Sequence, residues 1–441
     1  MLRDPRGLEL TAADAASAAR LEAAVAAYCG FKKTTGERLK EALAGDANLV
    51  MAHLMRGYFM LLQAKRELVA RARQSAASAD AAMRAAGATP REILHRRALG
   101  AWIERDEITA VGVLQTILDE YPRDIVALKL AQYLLFYGGD GAGMRRTVAG
   151  AVARWDTAAP LYGYALGCHA FGLEESGDYE AAARAGRDAV VRHADDIWAG
   201  HAVAHVLEME DRCEEGTRWI DGNAASWREA NNFACHVWWH RCLFLLALRR
   251  YDDVLARYDT EVRAEPSDEY LDVTNAVSLL WRLEQAGVDV GARWRELGER
   301  ARARCDDHMM SFADVHYAMA LAASGGEGDD ARWLRSARAY ADGARETQAE
   351  VMGDIGIALG EAAQAHRHGD FGRAVDLLLP RRDAIRRIGG SHAQRDLFAR
   401  LLIDAAVKAG RHAVARDLLA ERLSRRPNNA WAIRTSNLIN I

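Results

Sequence analysis

Apolar residues recur at steps of three and four along nearly all of this 441-residue chain, the spacing that lines one face of an α-helix. Alternating β-branched runs, the mark of a half-buried strand, do not occur. Seven prolines are too few for a loop-rich fold, and alanine, leucine, arginine and glutamate, which suit helices, dominate. The pattern predicts an all-α chain with no sheet.

The helices are predicted in pairs. ALGCHAFGLEESGDYEAAARAGRDAVVRH reads as one hairpin, in which Gly177 permits the turn, Tyr179 packs between the helices, and Ala182 and Ala189 let their axes approach. AAQAHRHGDFGRAVDLLLPRR repeats it with Gly369, Phe371 and Ala374. AAVKAGRHAVARDLLAERLSRRP repeats it again with Gly410, Ala415, Leu419 and Pro427, although His412 stands at the aromatic position. CLFLLALRRYDDVLARYD is a weaker copy around Tyr251, and Pro122 separates a second helix from the next first helix in VLQTILDEYPRDIVALKLAQYLLFYGGD. These spacings predict a tetratricopeptide-like α-solenoid of about ten hairpins, superhelical with a concave groove. Residues 1–45 are expected to form an N-terminal helical cap and residues 46–441 a continuous array, with loop insertions at about 286–294 and 322–333.

Certain segments are more specific than the repeat itself: HAVAHVLEM, ACHVWWHRCLF, LDVTNAVSLLWRLEQAGV, DHMMSFADVHYAMA and LLLPRRDAIRRIGGSHAQRDLFARLLIDAA. In these the chain resembles the tetratricopeptide repeat protein 38 family, from about residue 15 to its end. The resemblance implies an α-helical repeat protein of a kind found in bacteria and animals. It brings no biochemical activity with it.

Charge narrows the partners. Charged residues make up 27% of the chain with both signs mixed, and the formal net charge is −4, so no basic surplus favours nucleic acid. No polybasic segment suits a membrane surface, and the longest strongly apolar stretches, such as Leu243 to Leu248, are far short of a span. The opening MLRDPRGLELTAADAASAAR lacks the apolar core of a signal peptide. Cys29, Cys168, Cys213, Cys235, Cys242 and Cys305 show no C-x-x-C spacing and are expected to be reduced, mostly buried thiols. A cytoplasmic protein is expected, and a homo-oligomer is compatible with all of this.

The candidate chemistry centres on two i, i+4 histidine pairs, His201/His205 and His236/His240, the second 35 residues after the first. Each pair shares a helix face, and a 35-residue offset is one hairpin, so the four rings are expected to face one cavity from neighbouring first helices. A one-residue excess over a 34-residue repeat would turn the second pair away by about 100° unless the connection absorbs it. Neutral imidazoles so placed suit a divalent transition metal, and Glu208 at i+7 adds a carboxylate. The zincin pattern fails, because Ala202 stands where its glutamate belongs.

Other residues extend this groove. Asp272, Asn275 and Ser278 form a polar stripe that is either a third wall or a solvated face. Trp239 borders the second pair, and His316 follows Asp314 two repeats on. In GGSHAQRD, Gly389 and Gly390 end one helix, Ser391 caps the next and Gln394 completes a capping box, while Arg395 adds a cation at a helix N-terminus suited to an anion. No P-loop lysine or G-x-S-x-G elbow occurs. The sequence predicts a binding protein whose groove holds a small molecule or peptide through His201, His205, Glu208, His236, Trp239, His240, Asp272, His316, Gln394 and Arg395. The alternative is an enzyme, metal-dependent and hydrolase-like, with its active site among the four histidines.

Overall fold

The computed structural model describes residues 2–439, and helices account for almost all of its regular structure. One expectation needs correcting at the outset: Leu2–Arg3 pairs antiparallel with Glu9–Leu10, so the described chain contains a minimal sheet. Its cause is local. The Asp4 side chain accepts from the backbone N–H groups of Arg6 and Leu8, both at 2.9 Å, and Gly7 takes φ +82°. That closes a turn which helical periodicity does not register.

The chain divides into two compact units. The first comprises residues up to Phe136, Asp140–Val203 and Asn223–Ala234. It contains the hairpins Ala15–Cys29 with Thr35–Gly45, Val50–Leu62 with Leu68–Ala86, Pro90–Ile103 with Glu107–Glu120, and Tyr162–Glu174 with Tyr179–Arg192. The last is the hairpin read most clearly from sequence. Gly177 turns at φ +81°, and Ala182 and Ala189 are fully buried, which lets the two axes close up. First helices also pack on first helices, as Val50–Leu62 does on Pro90–Ile103.

The second unit comprises Tyr137–Gly139, Ala204–Gly222 and the chain from Cys235 onward. Here Tyr270–Gln285, Ser311–Ser324, Ile357–Arg367 and His392–Lys408 are successive first helices, each in contact with the next. Tyr270–Gln285 also meets His392–Lys408, so these inner helices close on one another. Arg367 Nη1 bonds Glu284 Oε2 at 2.6 Å, Arg282 Nη2 donates to the Ala393 carbonyl at 2.9 Å, and the rings of His316 and Phe398 lie 5.6 Å apart. The insertion expected at 286–294 is the turn before the helix Arg293–Arg304. The one expected at 322–333 shrinks to residues 325–328, because the helices Ser311–Ser324 and Asp329–Gly343 extend into it.

At the GGS turn, Gly389 and Gly390 adopt φ +83° and +81°, and Ser391 and Gln394 form the full reciprocal capping box. A Cβ on Gly389 would stand 2.5 Å from the Tyr137 carbonyl oxygen, so this turn packs backbone on backbone against Tyr137–Gly139.

Candidate functional site

Two helices set the histidines. Ile197–Met209 carries His201, His205 and Glu208, and Phe233–Ala247 carries His236, Trp239 and His240. Ala204 onward on the first helix and Cys235 onward on the second belong to the second unit. In that unit the His205 and His240 ring centroids are 4.3 Å apart, and those of His236 and His240 are 4.8 Å apart. One ring nitrogen from each of the three lies within 4.8 Å of the others. His205 therefore meets His236 and His240 in spite of the 35-residue offset. The connection between the two helices holds a 3₁₀ turn, Ala224–Trp227.

All three rings are buried, and outer hydrogen bonds fix the orientation of His236 and His240. His240 Nδ1 donates to Glu208 Oε2 at 2.9 Å. His236 Nδ1 donates to Asn275 Oδ1 at 3.0 Å. Both bonds commit Nδ1 as the N–H and make Nε2 the lone-pair nitrogen, the tautomer of an imidazole ready to ligate a metal. Burial pushes the His236 pKa down to about 3, so the ring is neutral at physiological pH. Burial pushes Glu208 up to about 7, against the opposing charges of His205, Arg426 and Arg282. Trp239 is fully buried and stacks on His236 with centroids 5.2 Å apart, so its indole is a wall of the cluster.

The structure places the remaining candidates as follows. His201 sits one turn before His205 on the same helix, and its ring is held in the first unit among Trp198, Phe171 and Phe233, at 5.2, 5.6 and 5.1 Å. The stripe Asp272, Asn275 and Ser278 is buried, which removes the solvated-face alternative. Asn275 bonds His236, Asp272 takes the Ser267 hydroxyl at 2.5 Å, and Ser278 accepts from Arg282. His316 is buried away from the pairs' hydrogen bonds, with Nδ1 donating to the Phe312 carbonyl at 2.7 Å, and burial lowers its pKa to about 4. Asp314 instead approaches His308, whose Nδ1 lies 3.4 Å from Oδ1; His308 precedes the helix at φ +45°, which is why helical phase did not foresee the pair. Gln394 is engaged in the cap, and the Arg395 guanidinium folds back on the Gly390 carbonyl.

Sequence reasoning missed a pocket in the second unit, which Glu208 also lines. Its polar wall is made of Arg282, Arg400, Arg422, Arg426 and Asp396. In a chain with 58 lysines and arginines, a single arginine carries little information. Arg282 was the readable signal, because LLWRLEQ sets it within an apolar helix run.

No family model matches the chain. Among solved structures the chain is similar at 13% identity to a chain in a structure of Naa15/Naa10 bound to HypK-THB, with a TM-score of 0.26. The match covers 95% of this chain and 64% of that one, so this chain spans less than two thirds of its length. A likeness at that score carries no argument; the helical-repeat class rests on the hairpins themselves. No helix among the described residues is long and apolar enough to cross a membrane.

Proposed function

We propose that this is a small-molecule-binding helical-repeat protein whose buried cluster of His205, His236 and His240, braced by Glu208 and Asn275, holds a divalent transition metal. One observation carries the reading: two of three converging imidazoles donate Nδ1 to a carboxylate and an amide oxygen, the outer-shell arrangement that turns Nε2 toward an ion. In a tetrahedral zinc site with bonds of about 2.0 Å, ligand nitrogens stand about 3.3 Å apart, so nitrogens now within 4.8 Å of one another would draw in by up to about 1.5 Å.

A small molecule is favoured over a peptide because the inner helices of the second unit pack on one another. A second reading, that of an enzyme, has one specific support. Glu208, with a pKa of about 7, borders the pocket, where a carboxyl so poised can donate or accept a proton near neutrality. The segments quoted above favour placement with the tetratricopeptide repeat protein 38 family, with residues 1–45 as cap and 46–441 as array. A cytoplasmic setting agrees with the free thiols. The Gln394–Arg395 turn is a weaker ligand candidate, since both side chains already serve the cap and its own carbonyl.

The test is metal analysis of protein purified without a histidine tag. About one equivalent of transition metal per chain is expected, falling severalfold in His205→Ala and His240→Ala. Cobalt(II) added to metal-free protein should give a visible ligand-field band. Wild-type protein that holds no metal and takes up neither zinc nor cobalt would exclude the metal site.

A further inference from the structure

The arginines around this pocket are not balanced by acids. Asp396 accepts from Arg422, and Asp211 accepts from Arg426 at 2.5 Å, so two of the cations are matched. Arg282 is not. Its side chain is about 1% exposed, its partners are the Ser278 hydroxyl and carbonyl and the Ala393 carbonyl, and no described carboxylate lies within ion-pair distance of it. Arg400 likewise has no described carboxylate partner. Its guanidinium lies over the Trp431 ring at 4.5 Å, and its Nε is buried without a hydrogen-bond partner.

A buried guanidinium without a counter-charge is costly to hold, and partner groups in a fold usually remove that cost. Here the two unmatched cations and their neighbours Arg422 and Arg434 line one cavity instead. Burial, and after it the like charges of Arg282, Arg422 and Arg434, outweigh Asp396 and hold the Arg400 pKa down to about 9. Five arginines line the pocket against three carboxyls, Glu208, Asp211 and Asp396, so cations are in excess. The field inside the pocket is positive.

The lining says what kind of anion fits. The wall that carries no arginine is apolar, made by Leu243, Phe244, Leu246 and Ala247. Guanidinium forks match carboxylate and phosphate oxygens in two-bond geometry.

We propose that this pocket binds a small amphipathic organic anion, with its carboxylate or phosphate head on Arg282 and Arg400 and its apolar body along Leu243 and Phe244. The proposal names the ligand class of the site read above, but it stands on the arginines and not on the metal. Glu208 joins the two: it walls the pocket and orients His240.

The probes are octanoate, octyl phosphate and the cationic octyltrimethylammonium, titrated into full-length protein by calorimetry at constant ionic strength, with metal content measured in the same samples. Saturable binding of at least one of the two anions is expected, with none of the cation. The stronger anion identifies the head group. Arg400→Gln should weaken that binding at least tenfold, and Arg400→Lys should weaken it less, since the charge stays while the fork is lost. As a readout that needs no variant, phenylglyoxal labelling followed by mass spectrometry should find Arg400 protected by the bound anion. No saturable binding of either anion, or unprotected Arg400 with full binding, overturns the proposal. Anion binding that persists in metal-free His240→Ala supports the pocket while leaving the metal reading to fail alone.

Discussion

Glu208 Oε2 accepts the Nδ1 proton of His240 at 2.9 Å, across two helices that present their polar residues to each other 32 positions apart. The bond selects the His240 tautomer, and it gives the ring a charged support once Glu208 ionises. A ligand ion would strengthen that ionisation, since a cation beside the carboxyl opposes the burial that raises its pKa to about 7.

Glu208→Gln keeps an oxygen that can accept from His240 but loses the charge. Losing an outer-shell partner of this kind typically lowers metal affinity about 10- to 100-fold. Competition for zinc against a chromogenic chelator should show that loss in Glu208→Gln, with a comparable loss in Asn275→Leu through His236. Unchanged zinc affinity in both variants would mean that these bonds support packing and not an ion.

The metal-free protein should lose stability as pH falls from about 6.5 toward 4. His236 and His316 have folded pKa values of about 3 and about 4, below the ordinary histidine value, so only the unfolded chain takes up their protons in that window. Glu208 acts in the opposite sense: its pKa is raised to about 7, so the folded chain is the one that gains its proton as pH falls from 7 toward 4.5. His53, His169 and His193 are depressed by burial as well, and Asp196 is a second carboxyl raised to about 7, so five depressed histidines against two raised carboxyls leave a net loss on the acid side. Urea unfolding at pH 6.5 and pH 5 measures it, and His316→Gln should reduce the difference. A variant with the wild-type pH slope would remove His316 from the account.

Hairpins were legible where their signals are local. Gly177, Gly369 and Gly410 all turn at positive φ, and Ala182, Ala374 and Ala415 are all fully buried beside them. The capping box of Ser391 and Gln394 was readable for the same reason, since its partners stand three residues apart. Helical phase also brought His205 and His240 together. What phase cannot reach is contact between distant first helices. Arg282 meets Ala393 over 111 positions, and Arg426 meets Asp211 over 215. The arginine pocket depends on such contacts, and so it left no periodic trace. The Asp4–Leu8 turn was missed because its reason lies in one side chain and not in a repeat.

Gly389 is set by two constraints at once, a φ of +83° and the Tyr137 backbone at 2.5 Å from any added Cβ. An L-residue there costs roughly 1 kcal/mol for the conformation alone, and displacing the Tyr137–Gly139 backbone adds to it. Gly389→Ala should lower unfolding free energy by more than about 2 kcal/mol in urea titrations. Ser391→Ala, which removes one cap bond, should cost only about 1 kcal/mol. Equal losses in the two variants would contradict the backbone contact.

The six cysteines are all free thiols, five of them buried and Cys235 partly so. Burial raises every one: Cys168, Cys235 and Cys305 to about 11, and Cys29, Cys213 and Cys242 to about 12. Thiolate is the reactive form, so at pH 8 the native protein should react slowly with Ellman's reagent for two reasons, low access and low ionisation. In unreduced protein unfolded by guanidinium, all six should react at once. Cys235 should be the first to react in the native state, because it is the most exposed of the six. A native burst of two or more thiols would show that the packing around these sites is looser than described, and a denatured count of four would reveal a disulfide.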